Sequence, residues 1–254
     1  MNFRRSVLAA FAGILLLLSG SSQAIAATLL YNDFTSPNWA AALSGFGITP
    51  ITASGDADFV AKLNPATVQL AIVQFDQSVH PGLQASLTSY IASGGKVIFS
   101  NVVDSQYDSI FRVAQAGSGN FADFSTTIDI GGALSSGLSS STLTVMDIPG
   151  LATFYRSFSL LAGPPPATGL ATFADGNVGI VLSNNGRTII NGFGGSTIYA
   201  SDENLSAADE IRLYQNELGL LGITPGTPVP EPATGALVGL GLLVTAALGY
   251  RRRK

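Results

Sequence analysis

Residues 27–102 alternate short apolar runs with amphipathic segments, and that alternation constrains the fold more than any other feature. ATLLYND (27–33), QLAIVQFD (69–76) and KVIFSNV (96–102) are nearly continuous in apolar residues, as strands buried on both faces are. Between them, SPNWAAALSGFG (36–47) sets Trp39, Leu43 and Phe46 at helical spacing and stops at Gly47. DADFVAKLN (56–64) reads as a short helix ended by Pro65, and PGLQASLTSYIASGG (81–95) brings Leu83, Leu87, Tyr90 and Ile91 onto one face. ITPITAS (48–54) reads as a strand, at an edge if Pro50 lies within it, because proline removes a ladder donor. The pattern predicts an α/β fold, a mostly parallel sheet flanked by helices on both faces.

The following residues are richer in β signals, with strands expected near 143–147, 153–159, 169–174, 178–183 and 187–192. The Ser- and Gly-rich stretch 131–141 and Gly163-Pro164-Pro165-Pro166 read as loops. A last helix is expected over 205–222, where Ser206 and Asp209 form a capping box and Ile211, Tyr214, Leu218 and Leu221 make a stripe facing the core.

The two ends of the chain follow different rules. Arg4 and Arg5, the apolar run Val7 to Leu18, and Ala24-Ile25-Ala26 have the layout of a secretory signal peptide over residues 1–26. An uncleaved anchor is the alternative, but the run falls short of the ~20 residues that span a bilayer. The body from residue 27 to 222 is expected to be one α/β domain. Between Ala27 and Pro228 stand six basic and fifteen acidic residues, a net charge of −9. A surface this acidic repels nucleic acid, so that partner is excluded. With no cysteine in the chain, an exported domain must rest on its core alone.

Residues 223–232 form a Pro-rich linker ending in Pro230-Glu231-Pro232, extended because its prolines deny it helix or sheet bonds. Ala233 to Tyr250 is free of charge and about 27 Å long as a helix, nearly a bilayer core, and so a transmembrane candidate. Arg251, Arg252, Arg253 and Lys254 follow as a basic cytoplasmic stop. The order of motif, apolar helix and basic cluster resembles the PEP-CTERM sorting signal of Gram-negative bacteria. The resemblance implies recognition of Pro230, Glu231 and Pro232 by an exosortase. It also implies anchoring in the inner membrane before processing, and a cell-surface or extracellular destination linked to exopolysaccharide and biofilm. A plain single-pass anchor is the alternative.

The body resembles the class I glutamine amidotransferase-like fold, in its ThuA-like branch. Three stretches carry the likeness: VQLAIVQFDQSVHPGLQASLTSYIASGGKVIFSN, ATFADGNVGIVLSNNGRTIINGFGG, and the closing helix. A flavodoxin-like fold is the alternative. The family's chemistry does not carry over. Asn101-Val102-Val103-Asp104 stands where the nucleophilic cysteine is expected, and no histidine follows His80.

Other catalytic templates are missing too. The sequence has no Gly-x-Ser-x-Gly elbow, no phosphate loop, and too few His and Cys residues for a zinc cluster. Asp202, Glu203, Asp209 and Glu210 lack the spacing of an EF-hand loop, and neither a metal nor a cofactor is expected. What remains is a set of strand-end candidates, Asp33, Asp76, His80 and Asp104, in the zone where α/β folds hold their ligands. Two functions follow as expectations. One is a non-enzymatic exported envelope or matrix protein, with extracellular polysaccharide as a partner. The other is a carbohydrate-active hydrolase using the strand-end aspartates.

Overall fold

A computed structural model of the chain describes residues 27–32, 37–75, 82–101, 105–119, 125–146, 155–193 and 206–225. Four helices and eleven strands occur among them: β1 (Ala27–Asn32), α1 (Pro37–Gly45), β2 (Ile51–Thr52), α2 (Asp56–Lys62), β3 (Val68–Phe75), α3 (Leu83–Ala92), β4 (Lys96–Asn101), β5 (Val113–Gly119), β6 (Ser125–Ile130), β7 (Thr142–Met146), β8 (Tyr155–Leu160), β9 (Thr168–Phe173), β10 (Val178–Ser183), β11 (Thr188–Asn191) and α4 (Ala207–Leu220). Two 3-10 helices, Ser105–Phe111 and Gly132–Ser135, complete the set.

The strands form one sheet in the order β2-β1-β3-β4-β11-β10-β9-β6-β7, with β5 and β8 branching from β10. β2, β1, β3, β4 and β11 pair in parallel, as the alternation in the first half requires. From β10 onward the pairing is antiparallel, so the β-rich second half widens the sheet. β2 is an edge strand of two residues, and Pro50 stands just before it.

The helices cover both faces. α1 and α4 pack Trp39, Ala42, Leu43, Leu213, Tyr214 and Leu218 on one. α2 and α3 pack Phe59, Leu83, Leu87, Tyr90 and Ile91 on the other. The four α3 residues chosen by spacing are all buried, and Trp39 is wholly so. Two strands were not legible: β5 is VAQAGSG and β6 is STTIDI, both too polar to give a strand signal. The loop expected at 131–141 contains the 3-10 helix Gly132–Ser135, held against α4 by Asn216 Nδ2, which donates to Leu134 O at 2.7 Å and Ser136 O at 2.8 Å.

The parallel and antiparallel parts meet at Gly192. Its N–H donates to Gly179 O at 2.8 Å, and its carbonyl accepts from Arg156 N at 2.6 Å. A Cβ there would collide with the Arg156 carbonyl oxygen, so only glycine lets the three segments approach. The Arg156 side chain pairs with Asp108 of the first 3-10 helix.

Candidate functional site

The strand-end candidates Asp33, Asp76, His80 and Asp104 lie outside the described residues, as do Pro230, Glu231, Pro232, Ala233 to Tyr250 and Arg251, Arg252, Arg253 and Lys254. Asp33 and Asp76 directly follow β1 and β3 in sequence, Asp104 comes three residues after β4, and these three strands are hydrogen-bonded neighbours. Among the described residues no helix is long and apolar enough to cross a membrane. Nor do three or more His, Cys, Asp or Glu side chains gather there in a metal-binding group.

At the carboxyl ends of the parallel strands, the described residues hold a buried polar cluster. Register generates it. Leu30, Ile72, Ile98 and Ile189 stand opposite one another across β1, β3, β4 and β11, an apolar row under α1 and α4. Two residues further on, side chains return to the same face. The row there contains Gln74, Ser100 and Asn191. Gln74, Ser100 and Asn191 are at most 1% exposed. The helices above them answer with polar groups of their own. Asn38 comes from α1, and Glu210, Tyr214 and Glu217 come from successive turns of α4.

Glu210 is well held: Asn38 Nδ2 donates to its Oε2 at 2.7 Å, and the Tyr214 hydroxyl donates to Oε1. Burial pushes the Tyr214 hydroxyl well above its usual value, reinforced by the charge of Glu210 and the hydrogen bond to it. Trp39 lies flat on Tyr214, ring centroids 3.8 Å apart, and closes the cluster from the α1 side.

Glu217 is different. It is fully buried, and neither carboxyl oxygen meets a hydrogen-bond donor. Burial pushes its pKa up to about 8; contact with Asn191 opposes the rise, and the charge of Glu210 adds to it. Asn191 Nδ2 donates to Ser100 Oγ at 3.3 Å and meets neither Glu217 oxygen in hydrogen-bond geometry, although its second N–H is unused.

Chemically the cluster can hold a proton on Glu217 and fix Glu210 as an acceptor. It supplies neither a thiol nor an imidazole, since the chain lacks cysteine and its one histidine is His80. Sequence reasoning missed this cluster. Gln74, Ser100 and Asn191 look like ordinary strand-end polar residues, and only the register aligns them. Glu210 and Glu217 carried a signal that was available: they stand at i and i+7 with Tyr214 between, one helical face. The expected stripe of Ile211, Tyr214, Leu218 and Leu221 is present, but the buried face turns further to take in Leu213 and both acids. Asp209, considered for calcium, instead binds Ser139 and the N-cap Ser206.

Residues 228–254 match the PEP-CTERM protein-sorting motif. The motif is one that an exosortase recognises, and it marks an exported protein processed at a membrane. No curated protein matches the chain in sequence. Among solved structures, the fold is similar to a GMP synthase component from Thermoplasma acidophilum: TM-score 0.51, 13% identity, 77% of this chain and 94% of that one. It is similar to a ThuA-like protein from Bacteroides uniformis at TM-score 0.51 and 9% identity, over 80% of this chain and 94% of that one. At such identities the likeness is one of fold: a mixed sheet flanked by helices, of the glutamine amidotransferase-like and ThuA-like kind.

Proposed function

We propose that the exported domain is a non-catalytic envelope or matrix module that works beside extracellular polysaccharide in a biofilm. In this reading residues 1–26 direct export, and the helix 233–250 anchors the chain in the inner membrane until an exosortase acts near Pro230-Glu231-Pro232. The domain then reaches the surface of a Gram-negative cell. The observation that carries the non-catalytic part is the closed cluster. Gln74, Ser100, Asn191 and Glu217 occupy the ligand zone of an α/β sheet, yet they are at most 1% exposed beneath Trp39 and Tyr214. The missing cysteine supports the same conclusion.

A second reading, hydrolysis of carbohydrate, draws on one observation: Asp33, Asp76 and Asp104 follow three adjacent strands. One experiment separates the two. The purified full-length protein is incubated with amide and polysaccharide substrates, and turnover and co-sedimentation with polysaccharide are both measured. Co-sedimentation without turnover is expected. Turnover abolished by Asp33→Asn, Asp76→Asn or Asp104→Asn would establish the hydrolase instead.

A further inference from the structure

Glu217 presents an accounting problem with a specific solution. A buried polar group without a partner costs about 1–3 kcal/mol, and a buried bare charge far more. Glu217 leaves two oxygens in that state, and the neighbouring Asn191 leaves its Oδ1 in that state as well. The Asn191 side chain also touches Glu217. We propose that Glu217 is a proton latch: as a neutral acid it donates to Asn191 Oδ1 and fastens α4 to the sheet, and loss of the proton frees the helix.

Two other arrangements serve the site less well. One N–H from the Asn191 amide would serve one carboxylate oxygen, too little for a fully buried charge that also faces Glu210. A divalent cation wants six or more oxygens. Both Glu210 oxygens are already taken by Asn38 and Tyr214, and Glu217 with Asn191 supplies three atoms. A proton needs neither room nor further ligands.

The titratable surroundings favour the neutral form. On α4 itself, Glu210 and Tyr214 face Glu217. α1, β3, β11 and the 3-10 helix Gly132–Ser135 contain no acidic or basic residue. β4 contains Lys96, at its far end, beside Gly222 and past the last turn of α4. Arg212 lies against Gly137, and Asp209 binds Ser139. No described cation therefore stands ready to compensate a carboxylate at Glu217.

The folded-state pKa of about 8 lies above the ordinary 4.5. The latch is therefore fully engaged below the ordinary value, and its stabilisation is lost as pH rises toward 8. Across that window the folding equilibrium should weaken about tenfold per pH unit. The group that yields is α4, since a charge at Glu217 can be hydrated only if Leu213, Tyr214 and Leu218 lift from the sheet.

The chain carries its own reporter. Trp39 is its only tryptophan and stacks on Tyr214 of α4. Emission of the full-length protein in detergent, titrated to alkaline pH, should shift to the red in a one-proton step centred near 8. Glu217→Gln, whose amide can serve Asn191 Oδ1 at any pH, should abolish the step. The wild type at neutral pH should also show the infrared band of a protonated carboxylic acid. Persistence of the step in Glu217→Gln, absence of the acid band in the wild type, or a shift in emission on adding calcium or a chelator would each overturn the latch. If the variant fails to fold, the wild-type infrared spectrum decides.

Discussion

Arg156 and Asp108 form an ion pair at 2.6 Å that is almost wholly out of water, the guanidinium side 1% exposed and the carboxylate side 8%. The guanidinium also lies over Phe158, 5.6 Å from the ring centre. The pair joins β8 of the antiparallel branch to the 3-10 helix that follows β4 in the parallel part. Removing one partner of a buried pair takes from the other charge much of its compensation, which costs about 3–5 kcal/mol. Asp108→Ala should lower stability by that amount in urea unfolding. Asp108→Leu combined with Arg156→Met should lower it much less. Equal losses in both variants would show that shape, rather than charge, holds the branch.

Gly192 should tolerate no side chain. Its Cβ would meet a backbone carbonyl, Arg156 O, which cannot swing aside as a flexible side chain would. Overpacking of this kind costs about 1–3 kcal/mol or more. Gly192→Ala is expected at or beyond the upper end of that range, measured by the urea midpoint. A loss under about 0.5 kcal/mol would mean that β8 and β11 are not pinned together there.

Asp209 should contribute to the acid limb of stability. Burial acts to raise its pKa, but Ser139 N at 2.7 Å, Ser139 Oγ at 2.6 Å and Ser206 Oγ at 2.8 Å outweigh this and hold it below the ordinary 3.8. A depressed value means the stabilisation is present above 3.8 and disappears as pH falls through the folded-state value. Asp209→Asn should therefore cost about 1.5–3 kcal/mol at neutral pH, with the difference from wild type closing in acid. A difference that stays constant down to acid pH would assign the loss to helix capping alone.

Sorting should depend on the tail and be indifferent to the fold. Replacing Pro230, Glu231 and Pro232 together with alanine should leave an unprocessed chain in the membrane fraction, detected by mass and fractionation. Normal processing of that variant would mean that the segment matching the sorting motif is not read by an exosortase.

Much of the parallel half could be read directly, because a strand buried on both faces must be apolar throughout. VQLAIVQF and KVIFSN leave little choice. The α3 stripe was equally plain, since Leu83, Leu87, Tyr90 and Ile91 all need the same face buried. β5 and β6 were opaque for the opposite reason. Residues such as Gln115, Gly117 and Thr127 sit on partly exposed strands whose pairing, not hydrophobicity, makes them strands. At the last helix the capping pair was anticipated, but Asp209 accepts from the Ser206 hydroxyl and reaches out to Ser139, so it ties a loop as well as a helix end. The polar cluster depended on register between strands up to 91 residues apart, as in the Asn191–Ser100 bond. No local pattern encodes that.

The position of β11 has a kinetic consequence. The last strand among the described residues lies in the interior of the sheet, between β4 and β10, and it is the piece that joins the two halves. Until residue 191 is available, β1, β3 and β4 form a sheet with one open edge, and the antiparallel strands have nothing to close against. Folding must wait for a distant segment, which makes it slow by topology. A chain built this way stays unlocked until residue 191 of its 254 is in place, however early its other strands are made.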